Sequence, residues 1–520
     1  MSTVDRTRKL AGNAGMKRIS TLSGLRGLSG LSGFTGQSML SRLSRLSRPD
    51  GWLYPALLCA ALICQAGSAS AAATITVVNT NAPGIGFNDP TPATPVGGNS
   101  GTTLGAQRLF AFQHAANIWG ATLDSNVPIR VDASFVPLAC TENSAVLGSA
   151  GAVEIFAEFP NAPRPVAWYP GALASKLSGS DLATPGEAHI RARFNSRLGL
   201  FPDCLPGTSF YVGIDNNHGS QVDLVAVLLH ELAHGLGFQS FTSGATGAQI
   251  NDRPAIWDYY MVDSRSNRTW VELTAEERRL SAISNALAWN GPNVTAAVPQ
   301  VLAPQPILGV DGPAAGAAAG TYDAGDAAFG APLAFPPVRG ELMPVVDRPD
   351  GSGVACTTLS YANALAVRGN IALVDRGECT FVVKARILQQ AGARGMVLAD
   401  NVSAPLTGLP GDGPDIAIPS VRVTHEVGLA LKAVLERRSR TSSGVIASLG
   451  VDPERFSGTD SARRMRLYSP SEFAPGSSVS HYTVEARPNQ LMEPAINPDL
   501  SHEVKPPRDL TYPLLRDIGW

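Results

Sequence analysis

The run Leu228-Leu-His-Glu-Leu-Ala-His-Gly-Leu-Gly-Phe238 holds the residues best suited to chemistry. His230 and His234 stand four apart, so on a helix both imidazoles leave one face and can meet a single tetrahedral ion. Glu231 follows the first of them and can take a proton from metal-activated water without itself ligating. Zinc is the expected metal, because it brings a water pKa toward about 7 and polarises a carbonyl. Hydrolysis of an amide bond is the chemistry such a set suits. A chance match on a core helix is the bland alternative. It would bury two histidines and a glutamate at the end of an apolar helix, which is costly unless something pairs with them.

The nine residues from His230 to Phe238 resemble the active-site helix of the metzincin clan of zinc peptidases. That clan places a third histidine where this chain has Ser240, and serine is a poor zinc ligand. The leishmanolysin-like branch instead supplies its third histidine far downstream, after an insertion, with an aromatic residue and a Leu-Met turn close behind. This chain reads Ser480-His-Tyr-Thr-Val-Glu-Ala-Arg-Pro-Asn-Gln-Leu-Met-Glu-Pro494. The resemblance carries His481 over as third ligand and Met492 as the methionine of the turn beneath the metal. Rival third ligands are Glu272, Glu276 or Glu277, as in the thermolysin-like clan, and, more weakly, His502. His114, His189, His218 and His425 are read as structural or surface residues.

These residues need a helix and a scaffold. Ser220 with Asp223 three positions on is an N-cap signature ahead of the apolar run 224–232, and Gly235 and Gly237 end the helix. Residues 104–123 have helical apolar spacing, and 127–135 alternate in the manner of a strand. A strand is expected at 74, followed by a loose Asn-, Pro- and Gly-rich arm to 102. Residues 187–194 read as a half-buried strand at a sheet edge, the edge an extended substrate would pair with. A further helix is expected over 274–288.

An Ala-, Gly- and Pro-rich stretch at 301–330 suggests a domain junction. Beyond it comes a β-α-β rhythm: strand 371–374, helix 380–390, strand 395–398 and a helix within 423–436. The run from Gly369-Asn-Ile-Ala-Leu-Val-Asp-Arg-Gly-Glu-Cys-Thr380 through Asp400-Asn401, with Ile416-Ala-Ile-Pro-Ser-Val421, closely resembles the protease-associated domain. The resemblance implies a non-catalytic module that influences substrate access or protein contacts. The bland alternative is a spacer that stabilises the enzyme.

The whole-chain numbers fit this division. With 520 residues the chain exceeds one ordinary core. Its net charge of −2 gives no pull toward nucleic acid. Arg42, Arg45 and Arg48, the apolar run 53–64 and small residues 66–71 have the order of a secretory signal, with Met39 as an alternative start. The apolar run is well short of the ~20 residues a membrane span needs. A lipid anchor at Cys64 is disfavoured by bulky Ile63. In an oxidising compartment Cys140, Cys204, Cys356 and Cys379 favour two disulfides. Of three pairings, Cys140 with Cys204 and Cys356 with Cys379 respects the domain division. A thiolate zinc site would want a Cys-x-x-Cys pair, which the mature chain lacks.

The expectation is therefore an α+β zincin-like catalytic domain with an inserted α/β protease-associated domain. The leader occupies 1–71, the catalytic domain 72–304 and 456–520, and the insert 305–455. The expected activity is that of a secreted zinc-dependent endopeptidase acting on proteins or peptides, with Glu231 as general base and His230, His234 and His481 on Zn2+. The competing class is a non-catalytic secreted binding protein on a degenerate peptidase scaffold, working through the insert.

Overall fold

The computed structural model describes residues 72–520 except 404 and 405, so the leader expectation lies outside the described residues. Among the described residues no helix is long and apolar enough to cross a membrane.

The first region is built on a four-stranded sheet. Its strands are β1 (Ile75–Asn79), β2 (Ile129–Val136), β3 (Gly148–Ala152) and β4 (Ile190–Asn195), in spatial order β1-β2-β4-β3. The first three in that order run parallel, and β3 lies antiparallel to β4, with Gly148 opposite Phe194. In β2, Ile129, Val131, Ala133 and Phe135 are buried and alternate with partly exposed Arg130, Asp132 and Ser134. That period of two gives the sheet one apolar face. Helices α1 (Leu104–Thr122) and α2 (Leu224–Leu236) belong to the same core, and Trp119 Nε1 of α1 donates to Leu229 O of α2 at 3.1 Å.

Strand 187–194 is not at an edge. It is β4, flanked by β2 and β3, and the edge beside it is the Gly-Ser-Ala-Gly-Ala strand β3. Alternation reports that one face is buried, and exposed Arg191 and Arg193 satisfy it from the open face. It carries no information about lateral neighbours. The arm after β1 is not loose either: Asn99 is buried and donates to Gln107 O at 2.8 Å and Val212 O at 2.7 Å. The helix expected over 274–288 stops early, as Ala275–Ser281. Leu287–Trp289 then pairs as a strand with Met261–Asp263.

The region from 304 to 456 has its own sheet of eight strands. They run Gly320–Asp323, Pro304–Asp311, Ile446–Phe456, Val338–Pro344, Ile371–Asp375, Gly395–Ala399, Ser420–Val423, Gly325–Asp326. Ile371 and Leu373 face one buried cluster, Ala372 and Val374 the other, so both faces are covered. Cys356 is bonded to Cys379, and Cys140 to Cys204.

The chain enters and leaves this sheet beside itself, since Pro304 pairs with Phe456. Beyond it, Met465, Leu467, Tyr482, Met492, Leu514 and Ile518 join the same buried cluster as β1–β4, α1 and α2. An excursion whose ends are hydrogen-bonded neighbours leaves the host's two halves in register.

Candidate metal centre

Every residue of α2 is buried. Its N-cap is Asp223 itself rather than Ser220: the carboxylate accepts from Val225 N at 2.8 Å and Ala226 N at 3.2 Å. Asp223 directly precedes the apolar run, where the first free N–H groups point. Gly235 lies inside the helix, where a Cβ would come within 2.4 Å of Ile190 Cγ2 on β4. Gly237 is the C-cap with φ 129°, a conformation that favours glycine. A Cβ there would also stand 2.8 Å from Ile518 Cδ1.

The helix brings His230 and His234 to one face, and the C-terminal segment brings His481 to them. Their Nε2 atoms lie 3.1 Å (His230–His234), 3.1 Å (His234–His481) and 3.2 Å (His230–His481) apart. All three rings are buried. Each Nδ1 faces a backbone carbonyl: His230 that of Leu491 at 2.7 Å, His234 that of Phe238 at 2.8 Å, His481 that of Ser477 at 3.0 Å. A carbonyl only accepts, so each Nδ1 is the donor and each ring turns its Nε2 to the common point. Three imidazole nitrogens converging on one point are a ligand set that could hold a metal ion. Nitrogens about 2.0–2.1 Å from one tetrahedral ion sit roughly 3.3–3.4 Å apart. The observed spacing fits such an ion, and backbone carbonyls as outer partners are what metal-bound histidines usually have.

Ser240, at the clan's third-histidine position, is engaged otherwise. Its Oγ donates to Asp258 Oδ1 at 2.6 Å, and its N donates to Ser480 Oγ at 3.4 Å. The residue before His481 thus docks on the position where a local third histidine would stand. Trp257 Nε1 supports the same segment by donating to Val479 O at 3.3 Å. Burial raises the carboxyl pKa of Asp258, against the lowering effect of its donors Ser240, Thr242 and Ala255.

The rival ligands are placed elsewhere. Glu277 pairs with Arg268 at 2.7 Å and Glu276 with Arg279 at 2.7 Å, while Glu272 accepts from Thr269 N at 2.7 Å. His502 Nε2 lies 2.9 Å from Asp223 Oδ2, at the far end of α2. Met492 is buried, and its carbonyl accepts from Tyr482 N at 2.8 Å.

Glu231 is buried and its Cγ lies 2.9 Å from where a Cβ on Gly148 would be. The edge strand β3 therefore runs directly beside it, and among the described residues no strand pairs with the outer edge of β3. Sequence reasoning missed this strand because glycine and alanine are poor strand formers with no apolar alternation. The signal available was the pair of glycines, Gly148 and Gly151, which permit close backbone approach.

Residues 338–431 match the family model of the PA domain. The chain carries a PA domain. The probable lipoprotein aminopeptidase LpqL of Mycobacterium tuberculosis is 36% identical over 97 residues, 18% of this chain and 19% of its own length. Vacuolar-sorting receptor 3 of Arabidopsis thaliana is 30% identical over 149 residues, 26% of this chain and 22% of its own. Subtilisin-like protease SBT1.6, also of Arabidopsis thaliana, is 37% identical over 100 residues, 19% of this chain and 13% of its own. This chain thus spans about a fifth of the length of the first two. Among solved structures, the aminopeptidase from Aneurinibacillus sp. strain AM-1 is 21% identical, with 31% of this chain and 38% of that one covered and a TM-score of 0.21. The zinc aminopeptidase BSAP from Bacillus subtilis is 19% identical, with 31% and 36% covered and a TM-score of 0.20. A receptor, an aminopeptidase and a protease share only short stretches with this chain, which is likeness at the scale of a module.

Proposed function

We propose that this chain is a secreted zinc-dependent endopeptidase of the metzincin clan, with a leishmanolysin-like ligand arrangement and a PA domain inserted between its second and third ligands. The observation that carries the reading is the convergence of three buried Nε2 atoms at 3.1–3.2 Å, each ring oriented by a carbonyl. His230, His234 and His481 would hold the zinc. Bound there, zinc supplies Lewis acidity toward a peptide carbonyl and toward water. Glu231, next to the first ligand, takes the proton of the attacking water and returns it to the leaving amine. The outer edge of β3 receives an extended peptide as an added strand, which sets the scissile bond beside Glu231. The reading of an extended substrate thus moves from β4 to β3.

The two disulfides support an oxidising compartment, in keeping with the signal-like leader. A binding protein on a degenerate scaffold would have no use for Glu231, and its presence beside intact ligands favours the enzyme.

The test is purified protein assayed for zinc and for casein cleavage, with and without chelator, beside Glu231→Gln. One zinc per chain, chelator-sensitive cleavage, and a variant that keeps its zinc while losing roughly 10²–10⁴-fold in rate are expected. Full cleavage by the variant, or a zinc-free active protein, defeats the proposal.

A further inference from the structure

The turn around Met492 touches the candidate metal centre at His230 and holds the residue after His481, and one carboxylate accepts from that turn. Leu491 O is the acceptor for His230 Nδ1 at 2.7 Å. The N–H of the same residue donates to Asp509 Oδ2 at 2.7 Å, while Asp509 Oδ1 accepts from Thr511 N at 2.7 Å. The next peptide closes the clamp: Leu510 N donates to Gln490 Oε1 at 3.0 Å, and Leu510 O accepts from Tyr482 Oη at 2.9 Å. Tyr482 adjoins His481, and its N donates to Met492 O at 2.8 Å. Gln490, Leu491, Met492, Tyr482, Asp509 and Leu510 are all at most 2% exposed, so water cannot replace a lost partner.

We propose that Asp509 is a positioning residue for the metal centre: with the adjoining Leu510 peptide it sets the Gln490–Met492 turn and Tyr482, and through them holds His230 and His481 at converging distance. This rests on the zinc reading above. The chemistry explains the residue type. Two N–H groups from separate positions must be accepted by one short, buried side chain, and a carboxylate has two oxygens where an amide has one. Asp509→Asn turns an NH2 group toward either Leu491 N or Thr511 N, and two donors cannot share that contact. The turn must shift, and the carbonyl that orients His230 shifts with it.

A matched control lies nearby in sequence. Asp517 is also buried and accepts from Trp289 Nε1 at 2.9 Å and Asn293 N at 2.7 Å. Neither donor contacts a histidine of the site. The same lesion there costs stability and breaks no hydrogen bond to a carbonyl that orients a ligand; its route to the site is the packing of Trp289 on Trp257, 4.5 Å between ring centroids.

Zinc affinity is measured by competition with a chromophoric chelator on wild type, Asp509→Asn, Gln490→Met and Asp517→Asn. Each protein is also loaded with cobalt(II), and its visible spectrum reports the coordination geometry. Asp509→Asn is expected to weaken zinc binding by about 10–100-fold and to change the cobalt spectrum. Gln490→Met, which removes the other arm of the clamp, does the same to a smaller degree and stands in if Asp509→Asn does not fold. Asp517→Asn is expected to melt earlier with zinc affinity and spectrum unchanged. Wild-type affinity and spectrum in both clamp variants, or an equal loss in Asp517→Asn, overturns the proposal. A wild type that binds no zinc overturns the zinc reading instead, and that arm alone reveals it.

Discussion

The candidate metal region and the PA domain differ in how their parts are distributed along the chain. Every strand of the eight-stranded sheet lies between Pro304 and Phe456, and its two cores are filled by residues of that stretch alone. The metal region takes its core from both sides of the insert, and two of its candidate ligands are 251 residues apart. The first kind of structure leaves a contiguous sequence signal, and the PA family model finds it. The second leaves a strong local motif and a distant partner whose meaning depends on closure of the fold. The candidate site lies in the region that must be assembled, where buried histidines are held by carbonyls from several segments.

This contrast can be broken most directly at His481. His481→Ala is expected to lose more than about 100-fold in zinc affinity, beyond what outer partners contribute, while the PA domain keeps its melting transition. Zinc retained at wild-type affinity would place the third ligand elsewhere and dissolve the distinction between assembled and contiguous regions.

Removing a local clip tests the other side. Replacing Cys356 and Cys379 by serine opens a loop closed over 23 residues and should cost the PA domain ~2–4 kcal/mol, with zinc content unchanged. Calorimetry with parallel metal analysis separates the two. Zinc loss in this variant would mean that the PA domain and the metal region melt as one unit.

A smaller effect is expected at Glu493, beside the Met492 turn. Burial pushes its carboxyl up to about 8, despite donors from Gln490 N and Asn497 Nδ2. A carboxyl raised in the folded state favours folding at low pH, and that contribution is lost as pH climbs from the usual carboxylate range through about 8. The metal region of wild type should therefore soften between about pH 5 and 9. Glu493→Gln should flatten that slope by a few degrees in Tm, with the PA transition unmoved. An identical pH profile in the variant would remove Glu493 as its source.

How much was legible follows the same division. The helix Leu224–Leu236, the strand Ile371–Asp375 and the helix Phe381–Gln390 were readable because caps, glycines and apolar periodicity are local properties. The edge strand β3 was not, since small residues carry no periodic signal and lateral neighbours are never written in one strand's pattern. His481 was named only by its resemblance to a family motif. Its own residue type and surroundings look like those of any loop histidine.

By itself the sequence determined that two imidazoles share one helical face with a carboxylate adjacent to the first, because a spacing of four is geometry internal to that helix. It also determined that a self-contained module lies downstream. Only the tertiary structure decided which strand is the edge, which side chain completes the triad and which carbonyls orient the rings. Those contacts join segments far apart in the chain, and their energies depend on burial that no local stretch of residues expresses.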